Sequence, residues 1–568
     1  MGNVPYSHLD LSNRDSQVQL TAALENLRQE LDLRTEFPPE VLAEAQSAVA
    51  ASTMPERDLT GLGFITVDPP GSTDLDQAFH LERAGSGYRV WYAIADVPTF
   101  VAPAGAIDVE ARLRGQTMYA PDGRISLHPE VIAEDAASLL PGRERPAFVW
   151  EFELDEDAQV QSVNLRRAAV KSRAQLTYEQ VQEDLDSGGA AENLILLREI
   201  GTKRIALEKE RGGASLNLPE QEIAHDGERY FIVTRPPLAA EDWNAQLSLM
   251  TGMAAAEIML GGGVGILRTM PAPDEASLAR FRHQARALGR SWPAGVPYGE
   301  FLRSLDTSDP RQLSLMHAAA SLFRGAGYTA FDGDLPDAVE QAAIAAPYAH
   351  TTAPLRRLVD RFVLVTCEAL CAGDEVPTWV RDALPQLNSL MSASNQLASR
   401  LESGAVAAVE AALLSNQVGE EFNAVVITGS RPTPDVPAAS GASRAPGTGT
   451  PAPDSPAAAG HPETAPSAPG SPATTRSAAV SGNGSKSGTT NSNGSGNGNG
   501  RNGNGVPHGV VQLADPAVEA RCDGVMTAGD EVRVRLVTAD IARRELRFEL
   551  VGKVAAAAPS SESQTAAG

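Results

Sequence analysis

Apolar positions recur along this chain with two different periods. In residues 16–51, Leu20, Ala23, Leu24 and Leu27 fall at the i, i+3, i+4, i+7 spacing of one helix face, and Phe37-Pro38-Pro39 interrupts the pattern. The segment therefore predicts two amphipathic helices. From about residue 57 to 416, short runs of β-branched and aromatic residues alternate with longer helical patterns. Residues 62–67, 88–95 and 148–154 predict strands, and residues 178–186, 243–260, 275–288 and 356–371 predict helices. Strand patterns return at residues 422–427 and 529–551. The fold class expected is α+β.

Between the last two strand regions the pattern stops. Residues 430–505 consist almost wholly of Pro, Ala, Ser, Thr, Gly and Asn, and such a stretch cannot bury enough surface to offset chain entropy. Strand patterns on both sides indicate a disordered insertion inside one small β domain. The expected organisation is a helical segment (1–56), a large mixed domain (57–416), a split β domain (417–429 and 506–554), the insertion (430–505) and a polar tail (555–568).

Composition narrows the possibilities. An apolar fraction of 42% over 568 residues suffices for sizeable cores, and no run of eighteen apolar residues predicts a membrane span. No basic segment followed by an apolar run opens the chain, and Cys367, Cys371 and Cys522 form neither a disulfide framework nor a zinc motif. A reducing cytoplasm and a monomer are expected. The net charge of −25 argues against coating nucleic acid by bulk electrostatics, but it leaves room for basic residues confined to a channel.

The first chemical constellation is Asp68-Pro-Pro-Gly71-Ser-Thr-Asp74-Leu-Asp76-Gln77. An apolar strand runs into Asp68, a Pro-Pro-Gly turn reverses the chain, and Asp74 and Asp76 at i, i+2 share one side of an extended segment. Crowded carboxylates call for a cation. Hard oxygen donors suit Mg²⁺, which phosphodiester hydrolysis uses to activate water. A solvated acidic turn is the plainer alternative. The second constellation is His350-Thr-Thr352-Ala-Pro354-Leu-Arg356-Arg357-Leu-Val-Asp360. Thr352 or a neighbour can cap a helix with Pro354 in its first turn, which would put both arginines near a phosphate-favouring N-terminus. An Arg356–Asp360 pair at i, i+4 is the structural alternative.

Taken together these segments resemble the ribonuclease II (RNB) family. The acidic loop is similar to that family's strand-borne aspartate trailed by a DxDD cluster, and residues 349–358 are similar to its "THFTSPIRRY" element. Arg114-Gly115-Gln-Thr-Met-Tyr119-Ala-Pro-Asp122, then Ser138-Leu-Leu-Pro-Gly142, looks like "RGxSxYLPD…SLxPG", and Ala93-Ile-Ala-Asp96-Val97 looks like "AIADV". The resemblance covers roughly residues 57–375. It implies a catalytic RNB domain that threads single-stranded RNA, 3′ end first, to a deep Mg²⁺ site. It also implies that the C-terminal β region, with its Gly529-Asp530 pattern, is an OB-fold-like RNA-binding barrel. Residue by residue it makes Asp68, Asp74, Asp76 and Gln77 metal-binding positions, and Asp76, Arg356 and Arg357 catalytic. Tyr119 becomes the aromatic on which a terminal base stacks, with Arg114, Arg356 and Arg357 as RNA contacts.

Two departures from the family pattern matter. Gln77 stands where the family has a fourth aspartate and brings an amide in place of a charge. The segment before the acidic loop reads as helical, where family members commonly carry cold-shock OB-folds. The expected function is 3′-to-5′ hydrolysis of single-stranded RNA to 5′-nucleoside monophosphates. An RNA-binding regulator with an impaired centre is the alternative, and Gln77 is its motive. Gly261-Gly-Gly-Val-Gly265 follows a helical pattern and is no nucleotide cradle, and His80, His128 and His350 are expected to be structural.

Overall fold

A computed structural model describes residues 14–214, 220–225, 230–235, 237–306, 309–320, 322–430, 506–513 and 518–554. Its centre is a closed five-stranded barrel with the order Phe64–Val67, Gln77–Ala84, Gly87–Ala95, Glu144–Leu154 and Val160–Leu176. Neighbours are antiparallel, except that the first and last strands close the barrel in parallel, with Val67 opposite Leu176.

The apolar run Val90–Ala95 in the third strand has a physical reason, because both of its faces are buried. Tyr88, Val90, Tyr92 and Ile94 join Phe148, Trp150 and Phe152 in the largest core, which the helices Ala239–Gly262 and Leu358–Ala372 complete. The alternate positions Trp91 and Ala93 pack with Ala147, Val149, Val170, Phe64 and Leu75. The helix Ala239–Gly262 is apolar almost all round, as a helix enclosed by its neighbours should be, with Leu247, Met250, Ala255 and Met259 buried.

The N-terminal segment forms the helices Arg14–Glu30 and Pro39–Ala51, with Pro38 and Pro39 opening the second as the sequence requires. The long helix Thr378–Leu414 then runs into a second closed barrel. Its strand order is Glu421–Thr428, His508–Leu513, Glu519–Asp523, Glu545–Lys553 and Glu531–Asp540, with Glu519–Asp523 and Glu545–Lys553 parallel through Cys522 and Phe548. This is the five-stranded order of an OB-fold. Val532, Val534 and Leu536 point into its core and alternate with outward Arg533 and Arg535. The first strand pairs with the second across the interrupting tract, with Ala424 opposite Leu513, so one barrel is built from two separated stretches. Ser430, placed in the tract by composition, belongs to the barrel, since its amide donates to the Met526 carbonyl at 3.0 Å. The rest of the tract, 431–505, lies outside the described residues, as does the tail 555–568. No helix among the described residues is long and apolar enough to cross a membrane.

Where the long helix meets the second barrel, buried Glu410 lies beside half-buried Glu519. Burial and the neighbouring Glu519 push the Glu410 carboxyl up to about 8, against the Glu519 backbone amide, and burial pushes Glu519 up to about 7. An acid raised in the fold holds a proton there that the unfolded chain has already released near 4.5. The stability it contributes is therefore full below that value and is lost as pH rises through 7 to 8. Stability should fall between pH 5.5 and 8.5 by on the order of 1 kcal/mol per pH unit, and melting temperature should fall with it. Glu410→Gln should flatten that slope in scanning calorimetry, and equal slopes in the two chains would remove the acid pair as its source.

Candidate functional site

The acidic loop is shaped before any charge is considered. The Asp68 amide donates to the Leu176 carbonyl at 3.0 Å, which pins the loop to the end of the longest barrel strand. Pro69, Pro70 and Gly71 then turn the chain, with Gly71 at φ 79°, a conformation that glycine adopts without steric cost. Ser138 staples the loop's second half. Its hydroxyl accepts the Leu75 amide at 2.9 Å and donates to the Thr73 carbonyl at 2.7 Å, while the Leu139 amide donates to the Leu75 carbonyl. The Ser138-Leu139 motif thus serves as the mould for the aspartates.

The loop presents its carboxylates in three different environments. Asp76 is 4% exposed and accepts the Leu355 amide at 2.8 Å, and its other oxygen lies 3.4 Å from the Arg356 Nε. Burial holds its carboxyl well above the usual range, against the pull of Arg356. Asp68 is pushed up to about 6 by burial, with Arg356 pulling down and Asp74 pushing up, and its Oδ2 is buried with no hydrogen-bond partner. Asp74 turns outward to Arg124 at 2.6 Å, with the Tyr119 hydroxyl at 3.5 Å.

Gln77 opens the second barrel strand opposite Ile94. Its amide oxygen accepts hydrogen bonds from the Tyr92 hydroxyl and, at 3.2 Å, from the Ser248 hydroxyl. Of the four positions expected to bind metal, Asp76 is a buried acid and Asp68 a half-buried one with a buried oxygen, Asp74 is paired with an arginine, and the Gln77 oxygen is already engaged. Among the described residues no three His, Cys, Asp or Glu side chains converge closely enough to hold an ion by themselves. Even so, the unpartnered Asp68 oxygen and the hard-oxygen donor set fit a cation such as Mg²⁺, which completes its shell with water and substrate phosphate.

The arginine segment departs from its expected local structure. The helix begins at Leu358, with Arg357 as an extended N-cap at φ −132° and ψ 123°, so Thr352 and Pro354 lie in the turn before it. Asp360 shapes that turn by accepting the Ala353 amide at 2.7 Å and both Nε and Nη2 of Arg357 at 3.0 and 2.8 Å. The ion pair is thus Arg357–Asp360, not Arg356–Asp360. Arg357, expected to be catalytic and RNA-binding, is locked in this buried pair. Arg356 keeps its side chain 39% exposed beside Asp76. The segment is held in place by the Thr117 amide on the Arg356 carbonyl and the Leu358 amide on the Gly115 carbonyl, so the Arg114-Gly115 motif contributes its backbone. Arg114 itself, expected to contact RNA, is 4% exposed. Its guanidinium reaches Glu110 at 2.9 Å and the Ser126 and Glu36 carbonyls, which makes it a scaffold residue.

Tyr119 is 50% exposed on the short hairpin Met118–Ala120 and Gly123–Ile125, directly across from Arg124. Sequence reasoning passed over Arg124, which binds Asp74, Thr73 and Glu134 and holds the outer edge of the site. It also passed over Tyr92 and Ser248, which lie far apart in the sequence and which only the fold brings to Gln77. The aspartate of Ala-Ile-Ala-Asp96-Val has a structural task, accepting the Thr99 amide and pairing with Arg167 at 2.8 Å. His350 hydrogen-bonds Tyr328, and His80 lies against Glu82 and Trp91.

Two closed barrels connected by the long helix, with an acidic loop beside the partly open guanidinium of Arg356, define an α+β two-barrel class of fold, and comparison with known proteins gives the family. A model of the RNB domain matches residues 56–372, more than half of the chain, and one of the RNase II-type exonuclease C-terminal S1 domain matches residues 498–551. The chain belongs to the RNB-domain family. It is 29% identical over 340 residues to the probable exosome complex exonuclease RRP44 of Caenorhabditis elegans, covering 57% of this chain and 35% of that protein. It is also 29% identical over 359 residues to ribonuclease R of Escherichia coli K12, covering 58% and 43%. The match thus spans less than half the length of either relative. The fold is that of Mycoplasma genitalium RNase R, solved with ribose-methylated single-stranded RNA, at a TM-score of 0.73 and 17% identity, covering 95% of this chain and 78% of that one.

The two adjacent arginines should separate cleanly in urea denaturation. Asp360→Ala strands the Arg357 guanidinium in the interior and should cost about 3–5 kcal/mol. Arg356→Ala removes a partly exposed arm and should cost about 1 kcal/mol or less. Equal losses would mean that both arginines serve the fold alike.

Proposed function

We propose that this protein is a Mg²⁺-dependent exoribonuclease that hydrolyses single-stranded RNA from its 3′ end and releases 5′-nucleoside monophosphates. The observation that carries the reading is the meeting of buried Asp76 and half-buried Asp68 with the partly open fork of Arg356, inside a fold shared with ribonuclease R. Asp68 and Asp76 would hold the ion, with Asp74 reaching it by turning from Arg124. When bound, Mg²⁺ supplies an activated water and stabilisation of the leaving oxygen. Arg356 is placed to bind the scissile phosphate and offset charge developing on it. The Leu355 amide keeps one Asp76 oxygen oriented while the other faces the reaction. Tyr119 offers its ring to the terminal base, a contact of about 1–3 kcal/mol that is tolerant of sequence. Work in the cytoplasm, as a monomer, completes the proposal.

The reading is tested with purified protein and a 5′-labelled poly(A) oligomer, in Mg²⁺ and in EDTA. A ladder that shortens stepwise from the 3′ end only in Mg²⁺ is expected. Asp76→Asn should abolish it and leave RNA binding equal or tighter, because one negative charge facing the phosphate is gone. Near-parental turnover in Asp76→Asn would refute the metal-site assignment.

Gln77 favours a second reading, an RNA-binding regulator with a weakened centre, because an amide oxygen bound by two hydroxyls contributes no charge to the ion. In Gln77→Asp the same hydroxyls can still donate, and a unit charge is added. Two unit charges ~4 Å apart at an effective dielectric of ~20 interact by about 4 kcal/mol, much of it cancelled here by Asp68 and Asp76. The Mg²⁺ concentration giving half the maximal thermal shift should fall several-fold. A titration indistinguishable from the parent would place residue 77 outside the ion's reach.

A further inference from the structure

The hairpin that carries Tyr119 and Arg124 has two three-residue strands joined by Pro121-Asp122, and a hairpin of that size does not hold its shape alone. Its two faces do different things. Tyr119 and Arg124, paired across the strands, face the acidic loop. Met118, Ala120 and Ile125, on the other face, enter a core with Leu20, Leu24, Leu27 and Leu31 of the N-terminal region. That core also contains Leu401, Ala405 and Val409 of the long helix, together with Ile541 and Leu546 of the second barrel.

Charged contacts follow the same route. Arg28 grips Asp122 at the hairpin tip with both nitrogens, one of them at 2.9 Å, and Arg544 of the second barrel reaches Glu30 at 2.5 Å. The helix is seated closely. A side chain begun at Gly404 would meet the Leu27 methyls at 2.8 and 3.0 Å.

We propose that helix Arg14–Glu30 is a strut that positions Tyr119 and Arg124, with Arg28 as its positioning residue, and that it transmits the seating of the second barrel to the site. The proposal rests on the exoribonuclease reading only for what Tyr119 touches. Without the strut the hairpin keeps its sequence and loses its back support. Tyr119 then samples positions from which it cannot stack, and Arg124 relaxes its hold on Thr73 and Asp74.

The test uses the full chain carrying Asp76→Asn, so that RNA is bound and not consumed, and a single-stranded RNA oligomer with 2-aminopurine at its 3′ end. Stacking on Tyr119 quenches the probe. Adding Arg28→Ala should weaken binding about tenfold, part of one base–aromatic stack, and restore most of the fluorescence, with melting temperature nearly unchanged. Gly404→Val, which pushes Leu27 and the helix outward, should do the same. The double exchange Arg28→Asp with Asp122→Arg should recover the quenching, which a general effect of substituting residue 28 would not predict. If Gly404→Val unfolds, the exchange pair decides by itself. Quenching and affinity that ignore Arg28 and Gly404 would overturn the strut, even in a chain whose Asp76-intact form cleaves RNA. Quenching that depends on Arg28, in a chain whose Asp76-intact form never cleaves, would overturn the nuclease reading and leave the strut standing.

Discussion

A buried carboxylate that accepts a backbone amide from a segment 279 residues away holds this structure's site together. Asp76 is the only point at which the acidic loop and the arginine segment are joined by a direct hydrogen bond among those described. A carboxylate removed from water is costly unless something compensates it. Here the compensation is the Leu355 amide and the nearby Arg356, so the loop and the turn stabilise each other's positions. Much of the surrounding fold serves that meeting. Ser138 moulds the loop, Leu176 anchors its start, Asp360 bends the turn, and Thr117 and Gly115 hold the turn against the hairpin.

The treatment of arginines around this point separates scaffold from site. Arg114, Arg357 and Arg361 are each closed onto a carboxylate, and Arg361 also donates to the Val101 carbonyl from a fully buried position. Breaking such a pair leaves an uncompensated interior charge, which makes these residues stiff supports. Arg356 alone of the adjacent pair keeps a partly open guanidinium. A protein with a net charge of −25 can therefore still offer one well-placed cationic fork to an anionic partner, because the field at the site is set by which charges remain unpaired there.

The second barrel is attached through packing that uses three parts of the chain at once. The long helix delivers Leu414 into its core, the helical region at residues 310–320 donates Ser314 to the Ile427 carbonyl, and the N-terminal helix shares a core with Ile541 and Leu546. The N-terminal segment thus has the same buried neighbours as the hairpin beside the site. The described N-terminal region supplies two helices that pack directly on the hairpin, the long helix and the RNB domain.

The sequence by itself determined what short-range physics controls. Period-3.6 and period-2 patterns located most helices and the apolar strands, and the prolines marked the break between the first two helices. Composition set apart the tract, and Ser430, its first residue, belongs to the barrel. The resemblance to the RNB family that its motifs carry implied that Asp68, Asp74, Asp76 and Arg356 share one site. Tertiary structure alone decided which charged group each residue would meet, because pairing energies depend on distances that sequence spacing does not encode. Arg356 and Asp360 stand at helical spacing, yet the helix starts two residues later and Asp360 takes Arg357. Arg114 sits in a motif that suggested RNA contact, yet Glu110 and two carbonyls enclose it. Gln77 reads as a substituted metal ligand until the fold brings Tyr92 from the next strand and Ser248 from a helix 171 residues away to occupy its oxygen.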